Sequence, residues 1–137
     1  MANQPLNSQY NSPLVFSQLL GVADTGGGLA SIINNTGVDL IITNCVLDVS
    51  TVATGAQTTD VGVTTVSATT VQDNLMDGID THSATGTFGA ASGDATNAKL
   101  QFRWPAGKWV TASKASGASA GLVGTLYITA IPVPAGG

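Results

Sequence analysis

The chain has 137 residues, the length expected of one domain of ordinary size. Its net charge is −4 and its charged fraction is only 9%. Its single cysteine excludes an intramolecular disulfide, and its four Lys and Arg residues are too few to neutralise a nucleic-acid backbone. No apolar run is long enough to cross a bilayer and the first residues lack a secretory pattern, so we expect synthesis in a cytoplasm, with neither membrane nor nucleic acid as partner.

Composition also bounds the fold class. All eight acidic residues are aspartate, and glutamate, which is common on exposed helix faces, is absent. Thr, Val, Gly and Ser, which favour pleated strands and turns, are abundant. Because 43% of the residues are hydrophobic, the chain is not expected to be disordered. The composition therefore predicts an all-β domain with a core of its own.

The chain begins with a polar segment and continues with short apolar ones. Pro5 and Pro13 disfavour helix, so residues 1–13 predict an extended N-terminal arm, followed by a single domain over residues 14–137. Within that domain, apolar segments alternate with turns rich in Gly, Asn and Ser. The segments predicted to be strands are 14–20, 29–33, 38–49, 57–64, 85–89, 99–104, 108–113 and 122–131.

One segment departs from the strand pattern. Thr70 is followed three residues later by Asp73, and Gly78 comes soon after, which resembles one capped helical turn that ends at glycine. The sequence therefore predicts at most one short helix. About eight short strands joined by regular turns predict an antiparallel β-sandwich of Greek-key or jelly-roll type, with a barrel as the alternative.

Few residues offer catalytic chemistry. Asp80, His82 and Ser83 have the side-chain types of a hydrolase triad, but neighbours in sequence point in different directions and no Gly-x-Ser-x-Gly elbow occurs. His82 is therefore expected to be an exposed loop residue. Cys45 lies in an apolar stretch and is expected to be a buried thiol. We predict no enzymatic activity, no catalytic residue and no cofactor.

A cluster of polar residues around Gly78 is a candidate calcium-binding site. Carboxylate and amide oxygens are the ligands that calcium prefers, although Leu75 occupies a position that must carry an oxygen ligand in an EF-hand loop. The competing interpretation is that these side chains cap turns. The candidate ligands are Asp73, Asn74, Asp77 and Asp80.

Two tryptophans flank the turn at residues 105–107. Paired rings near a hairpin tip can stack on a sugar or anchor a protein interface, so Trp104 and Trp109 are candidate interface residues. The alternative is that both rings fill the end of the core.

Five segments between roughly residues 40 and 131 share their pattern with a known family. They are CVLDVSTVATGA at 45–56, DNLMDGID at 73–80, ATGTF at 84–88, WVTAS at 109–113 and ASAGLVG at 118–124. Together they resemble small virion proteins of tailed bacteriophages, of the head decoration, or cement, type. Residues 1–30 show no such pattern.

This resemblance implies a β-sandwich that assembles as a homotrimer on the outer surface of the capsid. Its partner would be the major capsid protein, and its role would be to stabilise junctions between shell subunits through several weak contacts that act together. An extended arm can add to the edge of a neighbouring sheet. We therefore expect four apolar residues of the arm and the first strand to lie at or near an interface, namely Leu6, Tyr10, Leu14 and Phe16.

Three other functions remain open from the sequence. One is a carbohydrate-binding or host-attachment module of a virion, with Trp104 and Trp109 as its platform. The others are a hydrolase that uses Asp80 and His82, and a non-viral adhesion domain, against which the lack of a signal segment argues.

Overall fold

Nine strands in two antiparallel sheets make up the part of the chain that the computed structural model describes, residues 12–23, 27–89 and 101–133. No helix occurs in these ranges. The strands are β1 Leu14–Leu19, β2 Gly28–Ile33, β3 Leu40–Thr51, β4 Gln57–Thr64, β5 Met76–Asp80, β6 Gly86–Gly89, β7 Phe102–Trp104, β8 Trp109–Gly117 and β9 Val123–Pro132. Each of the eight predicted strands corresponds to one of these elements.

The strand order is that of a jelly roll. The first sheet runs β1-β9-β3-β6, with β7 also paired to β3, and the second runs β2-β8-β4-β5. Consecutive strands β1 to β4 alternate between the sheets, and β9 and β8 return to lie between β1 and β3 and between β2 and β4. This order confirms the predicted sandwich, since the two sheets are separate and do not close into one barrel.

The core lies between the two sheets and follows from the alternation of side chains along β3 and β9. A β-bulge between Ile42 and Asn44 inserts one residue, so Cys45 points inward although it is three positions after Ile42. The inward side chains of these two strands are fully buried or nearly so: Leu40, Ile42, Cys45, Leu47, Val49, Leu126, Ile128 and Ala130.

The predicted helical turn is wrong, because this segment leads into strand β5. Thr59 pairs with Ile79 and Val61 pairs with Met76, so two residues of β5 lie opposite the single residue Asp60. Gly78 lies in this bulge with φ of 75°, a conformation that favours glycine. The bulge lets Met76 and Ile79 both face the core, and their spacing of three residues imitates that of a helix.

Residues 65–74, named here the strap, run over the outside of the second sheet, and Leu75 after them is a core residue. The Asn74 side chain accepts from the Val63 N–H at 2.7 Å and donates to the Val63 carbonyl at 3.0 Å. Thr111 Oγ1 donates to the Thr70 carbonyl at 3.1 Å. These bonds hold the strap against β4 and β8, and the side chains of Thr64 and Thr111 are buried although they point away from the core.

Candidate assembly surface

Two of the predicted interface residues lie on β1, the edge strand of the first sheet. Leu14 and Phe16 point inward, are half-buried and pack against the core. The Phe16 ring meets the Trp104 ring edge to face, with centroids 5.0 Å apart and planes at 63°. Leu6 and Tyr10 lie outside the described residues.

The two tryptophans occupy different environments. Trp104 is fully buried, and its indole Nε1–H donates to the Lys108 carbonyl at 2.9 Å. Trp109 is half-buried on the outside of the second sheet, paired with Ile33 and Thr64. The structure therefore corrects the idea of a two-ring platform, because Trp104 is a core residue and offers no surface to a sugar or a protein.

The outward side of β1, β9 and β3 carries several exposed apolar side chains, which are interspersed with Thr125 and Thr129 of β9. Val15 is 69% exposed and Leu19 71%, and on the neighbouring strand Tyr127 is 40% exposed and Ile131 36%. Ser17 pairs with Tyr127, which pairs with Val46 on β3, and Ile131 pairs with Ile41. We name this surface the outer face and define it by Val15, Leu19, Ile41, Val46, Tyr127 and Ile131.

Charge on the outer face is low. Asp48 is its half-buried carboxylate, opposite Thr125. At the far end, Arg103 Nη1 donates to Asp39 Oδ2 at 2.7 Å, while the Ala106 N–H donates to Asp39 Oδ1 at 3.0 Å. The Ala106 bond first, and then the Arg103 bond, hold the pKa of Asp39 below its ordinary value. Arg103 is thereby neutralised.

Negative charge is concentrated on the other sheet. Asp60 on β4, Asp77 and Asp80 on β5 and Asp73 just before β5 all lie at one edge of the second sheet. Burial raises the pKa of Asp60, and the nearby Asp77 and Asp73 carboxylates raise it further. The described part of the chain thus has one side of low charge with exposed apolar residues and one acidic edge.

The Asp80, His82 and Ser83 side chains do not form a catalytic triad. Asp80 accepts bonds from the backbone N–H groups of His82 and Ser83 and from the Ser83 hydroxyl, at 2.9, 3.0 and 2.6 Å. The His82 ring instead donates from Nδ1 to the Ala53 carbonyl at 2.8 Å. No Ser-to-His and no His-to-Asp side-chain bond is present, so these residues stabilise a turn.

Two of the candidate calcium ligands have other partners. The Asn74 amide is occupied by Val63, and the Asp80 carboxylate caps the turn that follows β5. Among the residues that the structure describes, no three His, Cys, Asp or Glu side chains are grouped as metal ligands would be. The turn-capping interpretation therefore describes Asp80, whereas Asn74 holds the strap against β4.

Cys45 is fully buried, as predicted, and burial raises the pKa of its thiol to about 12. Such a thiol is neutral and inert at physiological pH. It is a core residue of β3.

A groove of about 220 Å³ lies between the end of β1, β2 and the strap. It is open and smaller than the roughly 300–1,000 Å³ of typical small-molecule pockets. Its lining has no charged side chain and consists of Gln18, Val22, Gly28, Leu29, Ala30, Ser31, Ala68 and Thr69. The described residues also contain no helix of the length and hydropathy needed to cross a membrane.

The jelly-roll class that the strand order defines includes both viral capsid and lectin domains. The chain matches no protein-family model and no curated protein. Solved structures do match. A chain in the capsid of Ralstonia phage GP4 aligns with a TM-score of 0.64 and 18% identity, covering 90% of this chain and 86% of that one.

Two further structures align over nearly the same extent. A chain in the acid-stable capsid of Helicobacter pylori bacteriophage KHP30 has a TM-score of 0.57 and 12% identity, covering 89% of both chains. A chain in the capsid asymmetric unit of cyanophage Pam1 has a TM-score of 0.56 and 14% identity, covering 89% of this chain and 84% of that one. At these identities the likeness shows a shared fold.

Proposed function

We propose that this chain is a structural protein of a tailed-phage virion that decorates the outside of the head and binds the major capsid protein. The observation that carries this proposal is the jelly roll shared with chains of three phage capsids over 84–90% of either chain. Because the two covered shares are similar in each case, the matched chains are about as long as this one. The shared fold therefore accounts for most of each chain.

The side chains support a role based on contact with neighbours. The described residues place Asp80, His82 and Ser83 in a turn, and the outer face exposes Val15 and Leu19 to solvent. Exposed apolar surface is typical of a chain that packs against another protein. A homotrimer over a junction of shell subunits would combine several such contacts, each of them weak, into stable attachment.

The carbohydrate-binding alternative loses its main support. It required Trp104 and Trp109 to form one stacking platform, and Trp104 is buried in the core. The groove beside β2 is too small to replace that platform. We therefore retain the decoration role alone.

The proposal is tested by adding the purified chain to heads assembled without it. We expect saturable binding in multiples of three copies, seen by sedimentation. We also expect an increase in the temperature at which the heads open, because a ligand that binds the closed shell stabilises it. Heads that sediment without bound chain at any concentration would contradict the proposal.

The N-terminal arm gives a second test of the same role. Deletion of residues 1–13, which include Leu6 and Tyr10, is expected to abolish or strongly weaken attachment to heads, because an arm that adds to a neighbouring sheet contributes backbone hydrogen bonds. Deletion of residues 134–137 serves as the matched control. Full occupancy by the arm-deleted chain would show that the arm has no part in binding.

A further inference from the structure

We infer that the outer face is the surface of this chain that lies on the phage shell. This inference rests on the proposed function and deepens it by naming the contact surface and the chemistry of the partner. The partner surface is an uncharged, largely apolar patch on the assembled major capsid protein, and the acidic edge of the second sheet faces solvent.

The first argument comes from exposure. Val15 and Leu19 are more than two-thirds exposed on an edge strand, and Tyr127 beside them is 40% exposed. Alternation along β1 places Leu14 and Phe16 in the core and Val15 and Leu19 on the outside. An antiparallel sheet with one solvated face normally carries polar residues there. Polar residues do occur on this side, since Val15 pairs with Thr129 and Leu19 with Thr125. Val15 and Leu19 are nevertheless large apolar side chains that stay mostly exposed, which indicates that a partner covers them.

The second argument compares the area of the outer face with the area that a stable interface buries, and it distinguishes between two possible partners: a second copy of this chain and the shell. Three strands about 4.8 Å apart, over the roughly 20 Å length of β1, give a plane of about 300 Å². A stable pair of proteins buries about 800 Å² on each partner. The outer face alone is therefore too small to hold two copies of this chain together in solution. It suffices where several copies bind a repeating lattice at once.

The third argument comes from charge. Four of the described aspartates, Asp60, Asp73, Asp77 and Asp80, lie at the edge of the second sheet. Docking through the outer face leaves these carboxylates in water, whereas docking through the second sheet would bring them against the shell. Removing charged carboxylates from water is costly. The outer face carries one half-buried carboxylate, Asp48, whereas the second sheet would bring four against the shell, so the charges favour docking through the first sheet.

The experiment measures binding of single-site variants to heads assembled without the chain. Leu19→Lys, Leu19→Glu and Val15→Lys place a charge within the outer face. Val66→Lys is the matched control, because Val66 is 78% exposed but lies on the strap. We expect each outer-face variant to bind at least about tenfold more weakly than wild type and the control to bind normally.

Variants of both charges are needed at Leu19 to distinguish the cost of burying a charge from attraction or repulsion by charges on the shell. If Leu19→Lys and Leu19→Glu weaken binding alike, the contact is apolar, as inferred. If only one of them does, the contact is electrostatic and the inference is wrong. Thermal melts of the free chains show that each variant is folded, and Val15→Lys replaces Leu19→Lys if the latter unfolds.

Failure of this inference differs from failure of the proposed function. If wild type does not bind heads, the decoration role is wrong. If wild type binds but the outer-face variants bind equally well, or if Val66→Lys loses as much affinity as they do, the decoration role stands and the assignment of the outer face is overturned.

Discussion

At the scale of single residues, Gly62 on β4 shows how closely the strap packs on the second sheet. A Cβ at this position would lie 2.6 Å from the Gln72 Cβ and 2.8 Å from the Gln72 backbone carbon. Real Cβ atoms do not approach so closely, so a side chain here must displace the strap.

Gly62→Ala is therefore expected to lower the free energy of unfolding by about 1–3 kcal/mol through overpacking. Gly55→Ala is the matched control, because a Cβ there meets nothing within 4 Å, and we expect its effect to stay within about 0.5 kcal/mol. Urea unfolding of both variants measures the difference. Equal stabilities would show that the strap does not pack on Gly62.

Asp60 gives a prediction that depends on pH. Its carboxylate accepts from the Gly78 N–H at 2.8 Å, but burial raises its pKa above the ordinary 3.8. A raised pKa in the folded state means that the ionised carboxylate destabilises the fold above that pKa, and that this effect disappears below the unfolded value.

Asp60→Asn keeps an oxygen for Gly78 and removes the charge. We expect the variant to be more stable than wild type near neutral pH, and we expect this advantage to shrink as pH falls through the raised pKa and to vanish below 3.8. Unfolding by urea across this pH range is the measurement. An advantage that is constant with pH, or a loss near neutral pH, would contradict the role assigned to burial.

The pKa of Asp80 is shifted in the opposite direction to that of Asp60. Hydrogen bonds, that from the Ser83 hydroxyl first, lower its pKa. Its contribution to stability is therefore present above the ordinary value and is lost as pH falls through the lowered folded pKa. Asp80→Asn is accordingly expected to destabilise the fold near neutral pH.

At the scale of elements, Asn74 provides two of the hydrogen bonds that hold the strap on the second sheet. Asn74 forms two hydrogen bonds with the backbone of Val63, where the ladder between β4 and β5 has ended. Asn74→Ala leaves the Val63 N–H and carbonyl without these partners, which is expected to cost about 2–3 kcal/mol. Thr69→Ala, on the exposed part of the strap, is the control, with little effect expected. Chemical denaturation compares the two, and a neutral Asn74→Ala would refute the role of this side chain.

The strands show what the sequence can and cannot predict. Segments with strict alternation or Val and Ile runs, such as 122–131 and 38–49, match β9 and β3 closely, because alternation is a local property of strands. Strand β5 was not predicted. Its bulge opposite Asp60 and the positive φ of Gly78 depend on pairing with β4, which local pattern does not contain.

The outer face was predicted only in part, because it too depends on how strands pack and pair. The sequence identified β1 as an apolar strand, but residue types alone did not say which side faces the core, because both sides are apolar. Leu14 and Phe16 are the inward pair and Val15 and Leu19 the outward pair, since Phe16 packs on Trp104. The burial of Trp104 and the partial exposure of Trp109 likewise follow from which sheet each strand joins.

At the scale of the whole molecule, the jelly roll places two different surfaces on its two sheets. Alternation of consecutive strands between the sheets brings the first and last strands together in one sheet, and that sheet carries the outer face. The second sheet carries the strap and most of the described acidic residues. A chain built in this way has one side of low charge, which we infer to contact a neighbour, and an acidic edge on the other sheet.

The most direct test of this account is a cryo-electron microscopy map of the purified virion. We expect a protrusion with a two-sheet density on the outside of the head, repeated at junctions of shell subunits, with β1 and β9 nearest the shell. Particles that lack this chain, or that carry it only inside the head or in the tail, would contradict the central claim.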